Sequence, residues 1–143
     1  MEKTTDIILV GVGGQGILLS SEVLAEVLMK AGFDVKKSEV HGMSQRGGSV
    51  ISTVRFNKVK VYSPLPQKGN GDFLLAFEKL EALRYLDYLK EDGILIMNNF
   101  QWDPLPVSSG VKEYPPDIES HLKQTVKKFY IIEAFKIAKE LGN

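Results

Sequence analysis

Four glycines within six positions form the first stretch of the sequence that could do chemistry. They are Gly11, Gly13, Gly14 and Gly16, with Gln15 between the last two, and they fit the pattern G-x-G-x-x-G. Glycine allows a tight turn and a close approach of a ligand to the backbone, because it has no Cβ atom. A helix that begins directly after such a turn offers free N–H groups and the positive end of its dipole. The stretch therefore predicts a corner that binds a phosphate or another anion.

A second glycine-containing segment, His-Gly-Met-Ser-Gln-Arg-Gly-Gly at 41–48, carries polar side chains of several kinds. Arg46 could hold a phosphate or a carboxylate with two parallel hydrogen bonds, and Met43 could supply an apolar contact. The candidate site residues of this segment are His41, Met43, Ser44, Gln45, Arg46, Gly47 and Gly48, of which His41, Ser44 and Gln45 could orient the ligand. The alternative is a plain surface turn in which Arg46 is solvated and His41 caps a backbone group.

The pattern of apolar residues around these segments predicts alternating strands and helices. An apolar run without polar alternation at 7–10 predicts a strand that is buried on both faces. Apolar residues at helical spacing over 17–31, followed by Gly32, predict a helix. Further strands are predicted at 33–40, 73–77, 94–97 and 126–132, and further helices from 80 to about 93, at 117–123 and at 134–141.

This order of elements predicts an α/β fold, with a Rossmann-like, mostly parallel sheet and helices on both faces. Alternation at 49–56 and 59–62, joined by Asn57-Lys58, predicts an inserted β-hairpin at one edge of the sheet. The carboxyl ends of parallel strands meet at one edge, so we expect the 41–48 segment beside the glycine corner. Glu39 and Asp72 are expected to approach the same edge.

The composition excludes several classes of site. The chain has 143 residues, which suits one domain, and no cysteine, so it cannot supply a thiolate-ligated iron–sulfur or zinc site or a cysteine nucleophile. Its two histidines, His41 and His121, are too far apart in sequence for a histidine-rich metal motif. We therefore assign no metal site and no catalytic residue to this chain.

The charge balance and the apolar runs bear on partners and location. Lys+Arg and Asp+Glu number 18 each, which argues against nucleic acid or a membrane surface as a partner. No apolar run is long enough to span a bilayer, and the first residues lack the apolar region of a signal peptide. The cytoplasm is the expected location.

Two functions remain compatible with the residues alone. One is a free-standing NAD(P)- or nucleotide-binding module, in which Glu39, near the end of the second predicted strand, would bind the ribose hydroxyls. The other is an assembly protein whose two glycine-rich segments only pack against a partner. A glycine turn that merely packs helix against sheet is the simplest interpretation of the first motif.

Three segments of the sequence resemble a known family. They are Gly-Val-Gly-Gly-Gln-Gly at 11–16, Ser-Glu-Val-His-Gly-Met-Ser-Gln-Arg-Gly-Gly-Ser-Val at 38–50, and Leu-Leu-Ala-Phe-Glu-Lys-Leu-Glu-Ala-Leu-Arg-Tyr-Leu at 74–86. Together they are similar to the beta subunits of indolepyruvate ferredoxin oxidoreductases. More broadly, they resemble the gamma subunits or domains of the pyruvate/2-oxoacid:ferredoxin oxidoreductases. The 41–48 run is the specific part and points to the indolepyruvate branch.

The resemblance implies a subunit of a complex that oxidatively decarboxylates aryl pyruvates to arylacetyl-CoA and passes the electrons to ferredoxin. It implies that a partner alpha subunit holds the thiamine diphosphate and the iron–sulfur clusters, and that coenzyme A is a co-substrate. This chain would bind no cofactor alone, would be inactive alone, and would turn its candidate residues toward the substrate, coenzyme A or the partner's cofactor. Family members continue with more helix beyond the point that matches 142–143, so residues 1–143 are expected to form one domain without that extension.

Overall fold

The first predicted strand lies inside a six-stranded sheet in the computed structural model, which describes residues 3–41 and 47–143. The strands are β1 (Thr5–Val12), β2 (Asp34–His41), β3 (Ser49–Asn57), β4 (Gly71–Ala76), β5 (Leu89–Asn98) and β6 (Lys128–Ile132). The helices are α1 (Ile17–Lys30), α2 (Lys79–Arg84), α3 (Leu105–Ser108), α4 (Ile118–Thr125) and α5 (Ala134–Glu140), with a 3-10 turn at Leu86–Tyr88.

The strand order in the sheet is β2-β3-β1-β4-β5-β6. β1, β4, β5 and β6 pair with one another in parallel, whereas β3 is antiparallel to both of its neighbours, β1 and β2. Among the described strands, β3 is therefore the one whose direction is opposite to that of the other five. The predicted α/β fold with a mostly parallel sheet is confirmed.

Residues of β1 alternate between two hydrophobic clusters, one on each face of the sheet. Ile8 and Val10 belong to the cluster that includes Leu122 of α4, and Ile7 and Leu9 belong to the cluster that includes Ile17 of α1. Both faces of the strand are buried, as expected for an uninterrupted apolar run. The prediction of helices on both faces of the sheet is confirmed.

The predicted hairpin at 49–62 is wrong in its second strand. The first half is β3, but residues 59–62 form no strand, because both edges of β3 are already paired with β1 and β2. Side chains hold the following segment instead of a backbone ladder. Asp34 accepts a hydrogen bond from the Val61 N–H at 2.7 Å, and the Thr53 hydroxyl donates to the Pro64 carbonyl at 2.9 Å. The antiparallel hairpin of the structure is made of β2 and β3.

The helix predicted to reach residue 93 is much shorter. α2 ends at Arg84, a 3-10 turn follows, and Leu89 already pairs with Gly71 in the sheet. Gly93 thus lies within β5, where an added Cβ would meet the Leu89 side chain at 2.5 Å. No helix in the described part of the chain is long and apolar enough to cross a bilayer.

Candidate functional site

The two glycine-rich segments meet at the edge of the sheet where β1 ends and β3 begins. The Gly13 N–H donates to the Gly48 carbonyl at 2.8 Å, and the Gly47 N–H donates to the Gly13 carbonyl at 3.4 Å. This contact arises because β3 is antiparallel to β1 and therefore starts at the edge where β1 stops. Simple doubly wound topology would place β2 next to β1, but here β3 lies between them.

The second segment is described only in part. Met43, Ser44, Gln45 and Arg46 lie outside the described residues, and for His41 only the backbone, which ends β2, is described. The roles predicted for these side chains stay predictions. What the structure contributes is the position of Gly47 and Gly48, which follow them directly in the chain.

The glycine corner itself forms a tight turn into α1. Gly14 and Gly16 have φ angles of 103° and 82°, in the left-handed region that favours glycine. Gly16 is the N-cap of α1, where no side chain caps the helix and no acidic residue occupies the first turn. The N-terminal end of α1 thus keeps its positive potential at this edge.

Gly11 is required for a different reason, the close approach of three side chains. A Cβ atom at Gly11 would lie 2.7 Å from both Gln15 Oε1 and Ile17 Cδ1, and 2.9 Å from Phe77 Cβ. Gln15 uses its amide inside the chain: Oε1 accepts from the Val12 N–H at 2.8 Å, and Nε2 donates to the Phe77 carbonyl at 3.2 Å. Gln15 therefore ties the end of β1 to the end of β4.

A cleft of about 440 Å³ opens beside this corner. Its walls are mainly apolar, and the residues that line it are Gly14, Gln15, Phe77, Asn98, Trp102, Ala134, Phe135 and Ala138. The Asn98 amide is engaged, because its Oδ1 accepts from the Ala134 N–H at 3.0 Å and its Nδ2 donates to the Phe77 carbonyl at 3.4 Å. The side chain of Trp102 packs edge-on against Phe100 and remains 41% exposed.

A buried carboxylate, Glu78, organises the backbone next to the cleft. It lies two residues after the end of β4 and is 1% exposed. One of its oxygens accepts from the Tyr114 hydroxyl and from the Trp102 N–H, and the other accepts from the Glu81 N–H at 2.9 Å as the N-cap of α2. Burial, and then the Glu78 carboxylate, raise the pKa of Tyr114. Glu78 thereby joins the start of α2 to the loop between β5 and α4.

A second buried carboxylate, Glu81, reaches the start of β3. The Ser49 hydroxyl donates to Glu81 Oε2 at 2.5 Å, and the Arg84 Nε donates to Oε1 at 3.2 Å. The Tyr85 hydroxyl lies 2.9 Å from the Ser49 hydroxyl. Burial raises the pKa of Glu81, although the hydrogen bond from Ser49 and the charge of Arg84 oppose this shift.

The two carboxylates expected at this edge, Asp72 and Glu39, do not lie together in the structure. Asp72 lies at the opposite edge, where it accepts from the Asp6 N–H at 2.8 Å and from Lys90 at 2.6 Å, so that expectation is wrong. Glu39 lies on β2 and pairs with Lys37 at 2.6 Å, with β3 between it and β1. Sequence reasoning missed Glu78 and Glu81. Their signal is a glutamate two residues after a buried strand with a second glutamate three residues later, similar to a capping box.

Within the described part of the chain, the residues do not fit a metal ion or an iron–sulfur cluster. The sequence has no cysteine for a cluster. Within 3–41 and 47–143, no three His, Cys, Asp or Glu residues are grouped so that they could hold a metal ion.

Comparison with known proteins gives the family of the chain. Residues 6–143 match the pyruvate ferredoxin/flavodoxin oxidoreductase family. The sequence is 43% identical to the indolepyruvate oxidoreductase subunit IorB of Thermococcus kodakarensis and 44% identical to that of Pyrococcus horikoshii. Each alignment covers 99% of this chain and 71% of the relative.

A solved structure shares the fold. The pyruvate oxidoreductase subunit PORC of Thermotoga maritima superposes with a TM-score of 0.68 at 20% sequence identity. The superposition covers 97% of this chain and 67% of that one. The chain therefore shares the fold of that subunit.

We predict that Gln15→Glu lowers the free energy of unfolding by about 1–3 kcal/mol. The carboxylate can still accept from the Val12 N–H, but its other oxygen would face the Phe77 carbonyl without a proton to donate. Gln67→Glu is the control, because exposed Gln67 only accepts from Asn70 and a carboxylate keeps that bond. Denaturant unfolding measures both variants, and equal losses would contradict the internal role of Gln15.

The raised pKa of Glu81 predicts a pH-dependent stability. A carboxyl group whose pKa is raised by folding stabilises the folded state at pH values below its usual pKa of 4.5. This stabilisation is lost as the pH rises through the higher pKa of the folded state. Glu81→Gln does not titrate, so its free energy of unfolding should gain on the wild type as pH rises from 4 to 7. Glu119→Gln is the control of opposite sign, because Lys123 lowers the pKa of Glu119. The Glu81 assignment fails if the difference is flat or declines with pH.

Proposed function

The chain belongs to the pyruvate ferredoxin/flavodoxin oxidoreductase family, and from this we propose that it is the site-shaping subunit of an aryl 2-oxoacid:ferredoxin oxidoreductase. Indolepyruvate and related aryl pyruvates are the proposed substrates. The overall reaction converts the oxo acid anion and coenzyme A to carbon dioxide, an arylacetyl-CoA and a proton, and the two electrons released pass singly to ferredoxin. The observation that supports the proposal is the 43–44% sequence identity, over nearly the whole chain, to subunits of indolepyruvate oxidoreductases.

We propose that the catalytic cofactors belong to a partner, the alpha subunit of the same complex. Thiamine diphosphate supplies the decarboxylation chemistry and iron–sulfur clusters supply the electron path, both on that subunit. The absence of cysteine from this sequence supports such a division for the iron–sulfur clusters. Ferredoxin is met through the complex, and coenzyme A enters as a co-substrate. The zero net charge supports the absence of nucleic acid among the partners, and a cytoplasmic location is part of the proposal.

The proposed contribution of this chain is the edge formed by its two glycine-rich segments. Gly13 and Gly48 join these segments through a backbone hydrogen bond, and the N-terminal end of α1 lies beside them. Together with the 41–46 residues, this edge would face the partner's active site and the carboxylate or phosphate groups of the oxo acid and coenzyme A. Arg46 precedes Gly47 directly and is the proposed anion-binding side chain.

The free-standing nucleotide-binding module is not supported. In a dinucleotide site the acidic residue that binds the ribose follows the strand next to β1. Here β3 separates β2, which carries Glu39, from β1. The glycine corner also contacts Gly47 and Gly48 of its own chain, which occupy space beside the turn.

We predict that the tagged chain, co-expressed with a cysteine-rich thiamine-type partner, co-purifies with iron and thiamine diphosphate. The pair should reduce ferredoxin with indolepyruvate and coenzyme A, whereas the chain expressed alone should carry neither cofactor and show no activity. Metal analysis and cofactor extraction give the measurement. A chain that binds NADH with micromolar affinity and recruits no such partner would contradict the proposal.

In the same complex, Arg46→Ala should raise the KM for coenzyme A or for the oxo acid about tenfold or more, because a charge-assisted pair is lost. Lys30→Ala is the control, since Lys30 is an exposed cation at the other end of α1. Steady-state kinetics with each substrate varied in turn distinguish the two ligands. Identical KM values for both substrates in Arg46→Ala and wild type would remove Arg46 from the site.

A further inference from the structure

We propose that Glu81 is a positioning residue whose buried carboxylate, acting through Ser49, holds Gly47 and Gly48 against the glycine corner. Its importance for the reaction rests on the proposed function. The anchoring itself is a property of this chain alone and can be tested without the partner.

The chain of contacts is short. Ser49 is the first residue of β3 and follows Gly48 directly. Its hydroxyl donates to Glu81 at 2.5 Å, so the Tyr85 hydroxyl, 2.9 Å away, is the donor to Ser49. One peptide unit therefore separates this hydroxyl relay from the Gly48 carbonyl that accepts from Gly13.

Glu81 is itself held firmly, which a positioning group requires. Its N–H is fixed by the Glu78 carboxylate at 2.9 Å, and Glu78 is fixed by donors from Tyr114 and Trp102. Arg84, one turn along α2, donates to the Glu81 oxygen that Ser49 does not use. The carboxylate thus accepts from two elements, β3 and α2, in one orientation.

Stability alone does not account for a carboxylate at this place. Glu81 is 4% exposed, and burial of a charge costs free energy that apolar packing would avoid. The raised pKa of Glu81 reports that cost. What a carboxylate offers here, and an apolar side chain does not, is an acceptor aimed at the Ser49 hydroxyl.

The contact between the two glycine-rich segments rests on two described backbone hydrogen bonds, one of which is long. The hydrogen bond from Gly47 to Gly13 is long, at 3.4 Å, and the one from Gly13 to Gly48 is the shorter, at 2.8 Å. A shift of Ser49 by a few tenths of an ångström would therefore weaken the contact between the two segments of the proposed site.

Amide hydrogen exchange on the full chain tests the anchoring. Glu81→Leu and Ser49→Ala should speed exchange of the Gly13 and Gly47 amides at least tenfold, while the amides of β5 keep the wild-type rate. Ser49→Thr retains a hydroxyl and should restore slow exchange, and Glu119→Gln on α4 is the matched control at a partly exposed carboxylate. Unchanged exchange at Gly13, or acceleration spread evenly over the sheet, overturns the proposal. Ser49→Ala removes only one hydroxyl and provides the test if Glu81→Leu does not fold.

The active complex gives the second test. Ser49→Ala and Glu81→Gln should raise the KM for coenzyme A or the oxo acid several-fold with a smaller change in kcat, and Ser49→Thr should return KM toward the wild-type value. Faster exchange at Gly13 with unchanged KM would overturn the role in the reaction. Failure of the proposed function appears separately, as absence of co-purified iron and thiamine diphosphate from the wild-type chain.

Discussion

The close approach of three side chains around Gly11 is the constraint on which the rest of the site depends. Gln15, Ile17 and Phe77 occupy the space that a Cβ atom at Gly11 would need. Ile17 begins α1, Phe77 follows β4, and Gln15 hydrogen-bonds the ends of both β1 and β4. The absence of a Cβ atom at Gly11 thus allows the start of α1 and the ends of β1 and β4 to pack closely together where the two glycine-rich segments meet.

The antiparallel strand β3 gives the glycine motif a different meaning from the one it has in a dinucleotide-binding protein. In the usual arrangement the strand after the first helix lies next to β1 and leaves the glycine turn open to a pyrophosphate. Here the chain passes through β2 at the edge of the sheet and returns along β1 as β3. The turn then meets Gly47 and Gly48. The same pattern of glycines therefore serves contact between two loops of one chain.

Sequence patterns predicted the elements whose environment is uniform along their length. β1 is buried on both faces and α1 has regular helical spacing, so local composition was sufficient for both. The patterns failed where partners distant in sequence decide the structure. Residues 59–62 alternate like a strand but have no free neighbour, and Leu89 leaves the helical pattern because it pairs with Gly71. Glu78 and Glu81 were missed for the same reason, because their roles depend on Tyr114 and Ser49, more than 30 residues away.

The polar groups described near the contact of the two glycine-rich segments mostly form hydrogen bonds within the chain itself. The amides of Gln15 and Asn98 bind backbone groups, and the carboxylates of Glu78 and Glu81 accept from side chains and N–H groups around them. Such groups hold a surface in shape but are poorly placed to transfer protons to a substrate, since their donors and acceptors are already paired. An edge of this kind suits a subunit that presents a rigid surface to chemistry performed by another chain. The positioning role proposed for buried Glu81 would therefore come at a cost in folding stability.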